Sequence, residues 1–247
     1  MINVAVIGAA GRMGQTVVRA VNGVQDLTLV AELDAGDDVV ASARAGAHVA
    51  IDFTEPSVTE ANVHALIDAG VHAVVGTSGW DADALARVDE HLKERPEVGV
   101  LIAPNFAIGA VLAMRFSAIA ARYFESVEVV ELHHPDKVDA PSGTAAHTVR
   151  EIAAARAAAG VAQSPDATTS DPDGARGALI DGVRVHSVRL RGLVAHQETL
   201  LGNAGEQFTI RHDSFDRESF MPGVLLGVRE VGRHPGLTVG LDRFMEM

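Results

Sequence analysis

No cysteine occurs among the 247 residues, which excludes disulfides, thiol nucleophiles and cysteine-ligated zinc and is compatible with a reducing compartment. Aromatic residues are scarce, with one Trp and one Tyr; Trp80 and Tyr123 read as packing residues rather than stacking platforms. No apolar run approaches the roughly 18 residues a bilayer span needs, and the N-terminus has no basic stretch ahead of a cleavable apolar one. A cytoplasmic protein without a membrane partner is expected. Positive charge is also short, with 20 Lys and Arg against 33 Asp and Glu and a formal charge of −13. Such a balance argues against nucleic acid as a partner. It also singles out local cations, because an anionic ligand must be held against the field of the whole chain. Outside one adjacent pair the histidines are scattered, without His-Glu-x-x-His or equivalent spacing, so no metal site is expected. What is present is 47% hydrophobic residues, enough to bury a core in one large domain or two small ones.

The first strong pattern is a strand, residues 2–7, running into Gly8-Ala9-Ala10-Gly11-Arg12-Met13-Gly14 and then a helix to about Val21. Glycines there allow a tight turn and close approach of backbone to a pyrophosphate seated on the helix N-terminus. Their spacing, Gly-x-x-Gly-x-x-Gly, departs from the usual Gly-x-Gly-x-x-Gly. A second strand, Leu27 to Leu33, ends at Asp34, where an acid that accepts from a ribose 2′-hydroxyl belongs. Asp34 favours NADH, whereas Arg12 could bind a 2′-phosphate or merely lie in solvent. Dual use of NADH and NADPH is the expectation.

Two further strand–helix units follow, Val49 to Asp52 with a helix from Ser57 to Ala69, and Val71 to Val75 with a helix from about Asp81 to Glu94. Alternation of this kind predicts a parallel sheet. Ser57 and Glu60 have the spacing of a capping box. The segments Gly76-Thr77-Ser78 and, after a strand from Val98 to Ile102, Ala103-Pro104-Asn105-Phe106 fall at strand ends, where ligands bind. Beyond residue 105 the pattern changes. A helix from about Ile108 to Phe124 precedes a strand; residues 163–182 read as a long exposed loop; three strands then come without intervening helices. One last helix, about Asp216 to Val231, and a short strand, Leu237 to Leu241, complete the chain. The expected fold is α/β: a Rossmann-like parallel-sheet nucleotide domain, residues 1–105, plus an α+β domain with a mixed or antiparallel sheet, residues 106–215.

The remaining stretch, residues 131–146, reads Glu-Leu-His-His-Pro-Asp-Lys-Val-Asp-Ala-Pro-Ser-Gly-Thr-Ala-Ala. It begins as a strand that gives out at Pro135 and ends in a helix capped by Ser142. His133 and His134 can exchange protons near neutral pH, Lys137 adds a cation, and the N–H groups of Gly143 and Thr144 can cradle an anion at the helix start. A small carboxylate substrate that needs protons fits this set.

The run Glu-Leu-His-His-x-x-Lys-x-Asp-Ala-Pro-Ser-Gly-Thr-Ala closely resembles the signature of the dihydrodipicolinate reductases, also called 4-hydroxy-tetrahydrodipicolinate reductases, of bacterial lysine and diaminopimelate biosynthesis. That resemblance implies His133 as proton donor or acceptor, Lys137 as a proton donor that balances substrate charge, and His134, Gly143 and Thr144 as carboxylate ligands. It implies that Gly76, Thr77, Ser78, Ala103, Pro104, Asn105 and Phe106 border the cofactor, with Ser78 in place of the more usual Thr. It further implies a C-terminal segment, 216–247, that returns to the nucleotide domain, a homotetramer built through the second domain's sheet, and a dicarboxylate substrate, 4-hydroxy-tetrahydrodipicolinate. The alternative is another two-domain NAD(P)-dependent dehydrogenase acting on an amino-acid-like substrate.

Overall fold

In the computed structural model, which describes residues 1–245, the chain forms two compact units, Met1–Ala107 with Arg217–Met247, and Ile108–Asp216. Glu246 and Met247, at the end of the segment expected to return to the nucleotide domain, lie outside the described residues.

The first unit alternates strand and helix: β1 (Ile2–Ile7), α1 (Arg12–Asn22), β2 (Leu27–Leu33), α2 (Ala41–Arg44), β3 (Val49–Asp52), α3 (Thr59–Asp68), β4 (His72–Val75), α4 (Ala82–Leu92) and β5 (Gly99–Ile102). With a C-terminal strand, β11 (Gly236–Val239), its sheet has the order β11-β5-β4-β3-β1-β2, and every pairing is parallel. This is a Rossmann-like arrangement, with β11 beside β5. Inner strands of such a sheet are covered on both faces and so are largely apolar; all four residues of β3 and of β5 are buried.

The second unit contains α5 (Ile108–Ala120), β6 (Ser126–His133), α6 (Gly143–Ala158), β7 (Ala178–Ile180), β8 (Val183–Arg189), β9 (Ala195–Asn203) and β10 (Glu206–Ser214). Its sheet is mixed, in the order β10-β9-β6-β8-β7: β6 runs parallel to β8 and antiparallel to β9. Along β6 the residues alternate in burial, so Val127, Val129 and Glu131 face one way. Val127 and Val129 share a core with Ala145, Val149 and Ile152 of α6. Arg156, almost fully buried near the end of α6, donates to the carbonyls of Ala121, Phe124, Glu125 and Ala162 at 2.7–3.2 Å. One guanidinium thereby ties together the end of α5, the entry to β6 and the exit from α6.

Several local expectations are corrected. The capping box does not form: Ser57 Oγ turns to Glu55 at 2.8 Å, α3 starts at Thr59, and Glu60 is held by Arg87 at 2.6 and 3.0 Å. The expected long loop contains β7, joined to β8 through Asp181 and Gly182 at φ 49° and 84°. Two consecutive positive φ angles are what a two-residue hairpin turn requires, and Asp-Gly supplies them. The last helix is a 3₁₀ turn, Arg217–Phe220, followed by α7 (Met221–Glu230). Pro222 in the first turn of α7 suits a helix start, where its missing N–H costs no intrahelical bond. The helix after residue 107 stops at Ala120 rather than Phe124, which leaves Tyr123 71% exposed and not a packing residue. The short α2 had no counterpart in the expectations.

Candidate active site

In unit 1 the strand order reverses at β1, whose neighbours are β2 and β3. At this switch point the strand ends leave a cavity of about 510 Å³ lined by Ile7, Gly8, Gly11, Asp34, Phe53 and Thr54, among others. Gly8 has φ +79°, and a Cβ there would lie 2.5 Å from the Phe53 carbonyl; a Cβ on Gly14 would meet the Gly8 carbonyl at 2.0 Å. The tight turn from strand to helix therefore admits no side chain at either position. Gly11 precedes α1 without a side-chain cap, which leaves the helix start at Arg12 and Met13 suited to an anion. Other loop amides already have partners. Gly8 and Ala9 donate to the Leu33 carbonyl, Gly11 to the Gly8 carbonyl, and Ala10 to both carboxylate oxygens of Asp34 at 3.0 Å. Asp34 thus stands at the end of β2, as expected for a ribose acceptor, and also fastens the glycine loop. The Arg12 side chain is exposed and makes no ion pair among the described residues. This lining fits the pyrophosphate and ribose of a dinucleotide.

A buried carboxylate that sequence reasoning missed supports the same strand ends. Asp52 accepts from Thr54 N–H and Oγ1 at 3.1 and 2.8 Å, Thr59 Oγ1 at 3.3 Å, Asn62 Nδ2 at 2.8 Å and Thr77 Oγ1 at 2.7 Å. A lone acid closing the apolar run Val-Ala-Ile-Asp was the available signal. The Thr77 hydroxyl is consumed inside this network, whereas Ser78 is exposed. Gly76 lies against the Phe53 ring. Ala103 and Phe106 are buried, the latter 5.9 Å from Phe53 by ring centroids; Asn105 accepts the Ala107 N–H at 2.8 Å, and Pro104 is exposed.

In unit 2 the strand, loop and helix start form around one carboxylate. His133 is the last residue of β6, two beyond Glu131, so both side chains take the face that carries Val127 and Val129. Glu131 is fully buried. Its Oε2 receives His133 Nδ1 at 2.5 Å, its two oxygens receive the Arg189 guanidinium at 2.8 and 2.9 Å, and Oε1 receives the Ser142 N–H at 3.2 Å. Arg189 ends β8, in register with His133 on β6, and also donates to the Asp139 carbonyl at 2.6 Å. Burial alone would raise the Glu131 carboxyl, but hydrogen bonds from His133, Arg189 and Ser187 and the charge of His133 outweigh it and hold the group down to about 2.

The loop between strand and helix carries its own carboxylate. Asp139 accepts Lys137 Nζ at 2.6 Å and the Gly143 N–H at 3.3 Å, and Lys137 keeps the Asp139 carboxyl below its ordinary value. Ser142 Oγ caps α6 by accepting the Ala145 N–H at 3.2 Å. His134 and Gly143 are exposed and Thr144 is half-buried. Asp139 therefore occupies part of the cation and helix-start site expected to hold a ligand carboxylate. Among the described residues no group of three or more His, Asp or Glu could hold a metal ion, and no helix is long and apolar enough to cross a membrane.

Sequence profiles described as dihydrodipicolinate reductase, N-terminus, and dihydrodipicolinate reductase, C-terminus, match residues 2–106 and 109–245. The chain belongs to the dihydrodipicolinate reductase family. It is 66% identical over 246 residues to the 4-hydroxy-tetrahydrodipicolinate reductase of Beutenbergia cavernae and 61% identical to that of Nocardia farcinica, covering 100% of this chain and 99% of each relative. Among solved structures, a dipicolinate-bound dihydrodipicolinate reductase from Paenisporosarcina sp. TG-14 superposes with a TM-score of 0.89 at 36% identity, covering 99% of this chain and 100% of that one. For a dihydrodipicolinate reductase family member, the residues that sequence reasoning had not assigned are Glu131, Arg189 and Asp52. Glu131 was visible as an acid on the buried parity of an apolar strand; Arg189, 58 residues further on, carried no such mark.

Proposed function

We infer that the chain reduces 4-hydroxy-tetrahydrodipicolinate to tetrahydrodipicolinate with NAD(P)H, in lysine and diaminopimelate biosynthesis. The observation that carries this reading is full-length identity of 66% and 61% to two 4-hydroxy-tetrahydrodipicolinate reductases, joined to a segment of unit 2 in which a histidine, a lysine and a helix start adjoin one another. The nicotinamide, when bound, supplies the hydride; the chain supplies placement, charge and protons. Unit 1 takes the dinucleotide, with Gly8, Ala9, Ala10, Gly11, Arg12 and Met13 around the pyrophosphate, Asp34 at the ribose, and Gly76, Thr77, Ser78 and Ala103 to Phe106 bordering it. Both NADH and NADPH serve: Asp34 accepts from a 2′-hydroxyl, while Arg12, without an ion pair among the described residues, is free to meet a 2′-phosphate.

Unit 2 takes the substrate. His133 donates or accepts the proton, Lys137 donates a proton and balances substrate charge, and His134, Gly143 and Thr144 hold a carboxylate. Dipicolinate on the Paenisporosarcina enzyme supports a small dicarboxylate as the ligand class. A substrate carboxylate would replace Asp139 on Lys137 and on the Gly143 N–H, one anion exchanged for another. The enzyme works in the cytoplasm as a homotetramer formed through unit 2, which leaves Phe116, Ile119, Leu179 and Phe208 46–53% exposed in the single chain; light scattering giving a monomer mass at micromolar concentration would reject that assembly. The activity itself is tested by mixing purified protein with NADH or NADPH and substrate generated in situ from pyruvate and aspartate semialdehyde by its synthase. Substrate-dependent loss of reduced-cofactor absorbance is expected, and its absence with both cofactors would overturn the reading.

A further inference from the structure

One buried carboxylate touches three parts of the unit 2 site: the imidazole of His133, the backbone N–H of Ser142 at the start of α6, and, through Arg189, the carbonyl of Asp139 in the intervening loop. We propose that Glu131, clamped by Arg189, is a positioning residue for the reaction, holding His133 by Nδ1 so that Nε2 is the nitrogen that exchanges a proton with the substrate. This rests on the reading of His133 as the proton donor or acceptor.

The chemistry follows from what each group can do. An ionised carboxylate only accepts, so the hydrogen between His133 and Glu131 belongs to Nδ1. A neutral imidazole so held keeps its lone pair on Nε2, and the cation presents its second N–H there. The partner cannot swing away. Both Glu131 oxygens are engaged by the planar guanidinium of Arg189, one further oxygen contact comes from Ser142 N–H, and the side chain has no solvent exposure. A fixed acceptor of this kind sets tautomer and ring orientation together, which is how a carboxylate behind a histidine commonly acts. The placement is also local in sequence: residues two apart on a strand share a face, so the strand delivers the acid directly behind the base it orients. A buried ion pair serving only the fold would need neither contact with His133 nor a position at the strand end that opens into Lys137 and Gly143.

The test is a double-mutant cycle on the full-length protein, comparing wild type, Glu131→Gln, His133→Ala and the double variant for kcat, KM and the Kd of NADH. Glu131→Gln keeps the shape but can both donate and accept, so the imidazole loses its unique tautomer. Expected is a fall in kcat of about tenfold to a thousandfold, NADH binding within about twofold of wild type, and almost no further fall when Glu131→Gln is added to His133→Ala, because residues that act as a unit are non-additive. An equal fall in both backgrounds, or a wild-type kcat for Glu131→Gln beside an impaired His133→Ala, would overturn this proposal alone. A wild-type kcat for His133→Ala would overturn the assignment of His133, and the proposal with it. If Glu131→Gln does not fold, Glu131→Asp carries the same cycle: it keeps the charge near Arg189 but draws the carboxylate back from His133 by one methylene.

Discussion

Replacing Glu131 by Gln should change how stability depends on pH, in a window set by the buried carboxyl. That group is held at about 2 against an ordinary value of 4.5: burial, which opposes ionisation, is outweighed by hydrogen bonds from His133, Arg189 and Ser187. A depressed carboxyl stabilises the fold above its unfolded value and loses that contribution as pH falls toward the folded one. At about 1.36 kcal/mol per pH unit the contribution is about 3 kcal/mol, with about 1.4 kcal/mol lost by pH 3.5 and the rest as pH falls through about 2. Breaking a buried pair by removing one partner costs about 3–5 kcal/mol, so two routes give one magnitude. Wild type should therefore exceed Glu131→Gln by about 3 kcal/mol above pH 5, and the gap should close as pH falls. Urea unfolding by circular dichroism at fixed protein concentration measures it; Trp80 fluorescence would report unit 1 instead. A gap that stays constant from pH 6 to pH 3.5 would refute the claim that an ionised Glu131 holds the strand end together.

Arg156→Met should lower stability by about 3–5 kcal/mol, because it leaves four carbonyls without their donor, and Arg156→Lys should recover only part; a urea midpoint within error of wild type for Arg156→Met would contradict this. Asp34→Ala should weaken NADH and leave NADPH equal or better, while Arg12→Ala should hurt NADPH more; unchanged Michaelis constants for both cofactors in Arg12→Ala would return that residue to solvent. Lys137→Ala should cut kcat/KM by orders of magnitude with little change in melting temperature, since a partly exposed pair such as Lys137–Asp139 contributes about 0–1 kcal/mol to stability. Lys137→Arg should restore binding more than turnover, because a guanidinium keeps its proton; near-normal kcat/KM in Lys137→Ala would make the lysine structural.

The parts of this chain that were legible in its sequence are those whose signals are local. Strands β3 and β5 are buried along their whole length, β1 and β4 nearly so, and edge strand β2 still carries Leu27, Leu29, Val30 and Leu33, so the parallel sheet could be read directly. Ser142 at the head of an alanine-rich helix and Asp34 after β2 were equally plain, and both stand where expected. Less legible were features in which two local rules compete or distant residues meet. Ser57 had the spacing of a cap, but Glu55 drew its hydroxyl and Arg87 took Glu60. The Asp181-Gly182 turn was hidden by the polar composition around it. Nothing in the spacing of Asp139 marked it as an anion reaching Gly143, and the Glu131–Arg189 pair bridges 58 residues. His133, Lys137 and Gly143 were therefore readable in one short run, while the contacts of Glu131 and Arg189 with that run required the sheet to be assembled.

The measurement that bears most directly on this account is the steady-state comparison of wild type with His133→Ala, taken together with a titration of NADH binding to each. A fall in kcat of about 10²- to 10⁴-fold with the Kd of NADH unchanged is expected of a lost general acid–base group. A variant that turns over at the wild-type rate would remove His133 from the chemistry and contradict the account at its centre.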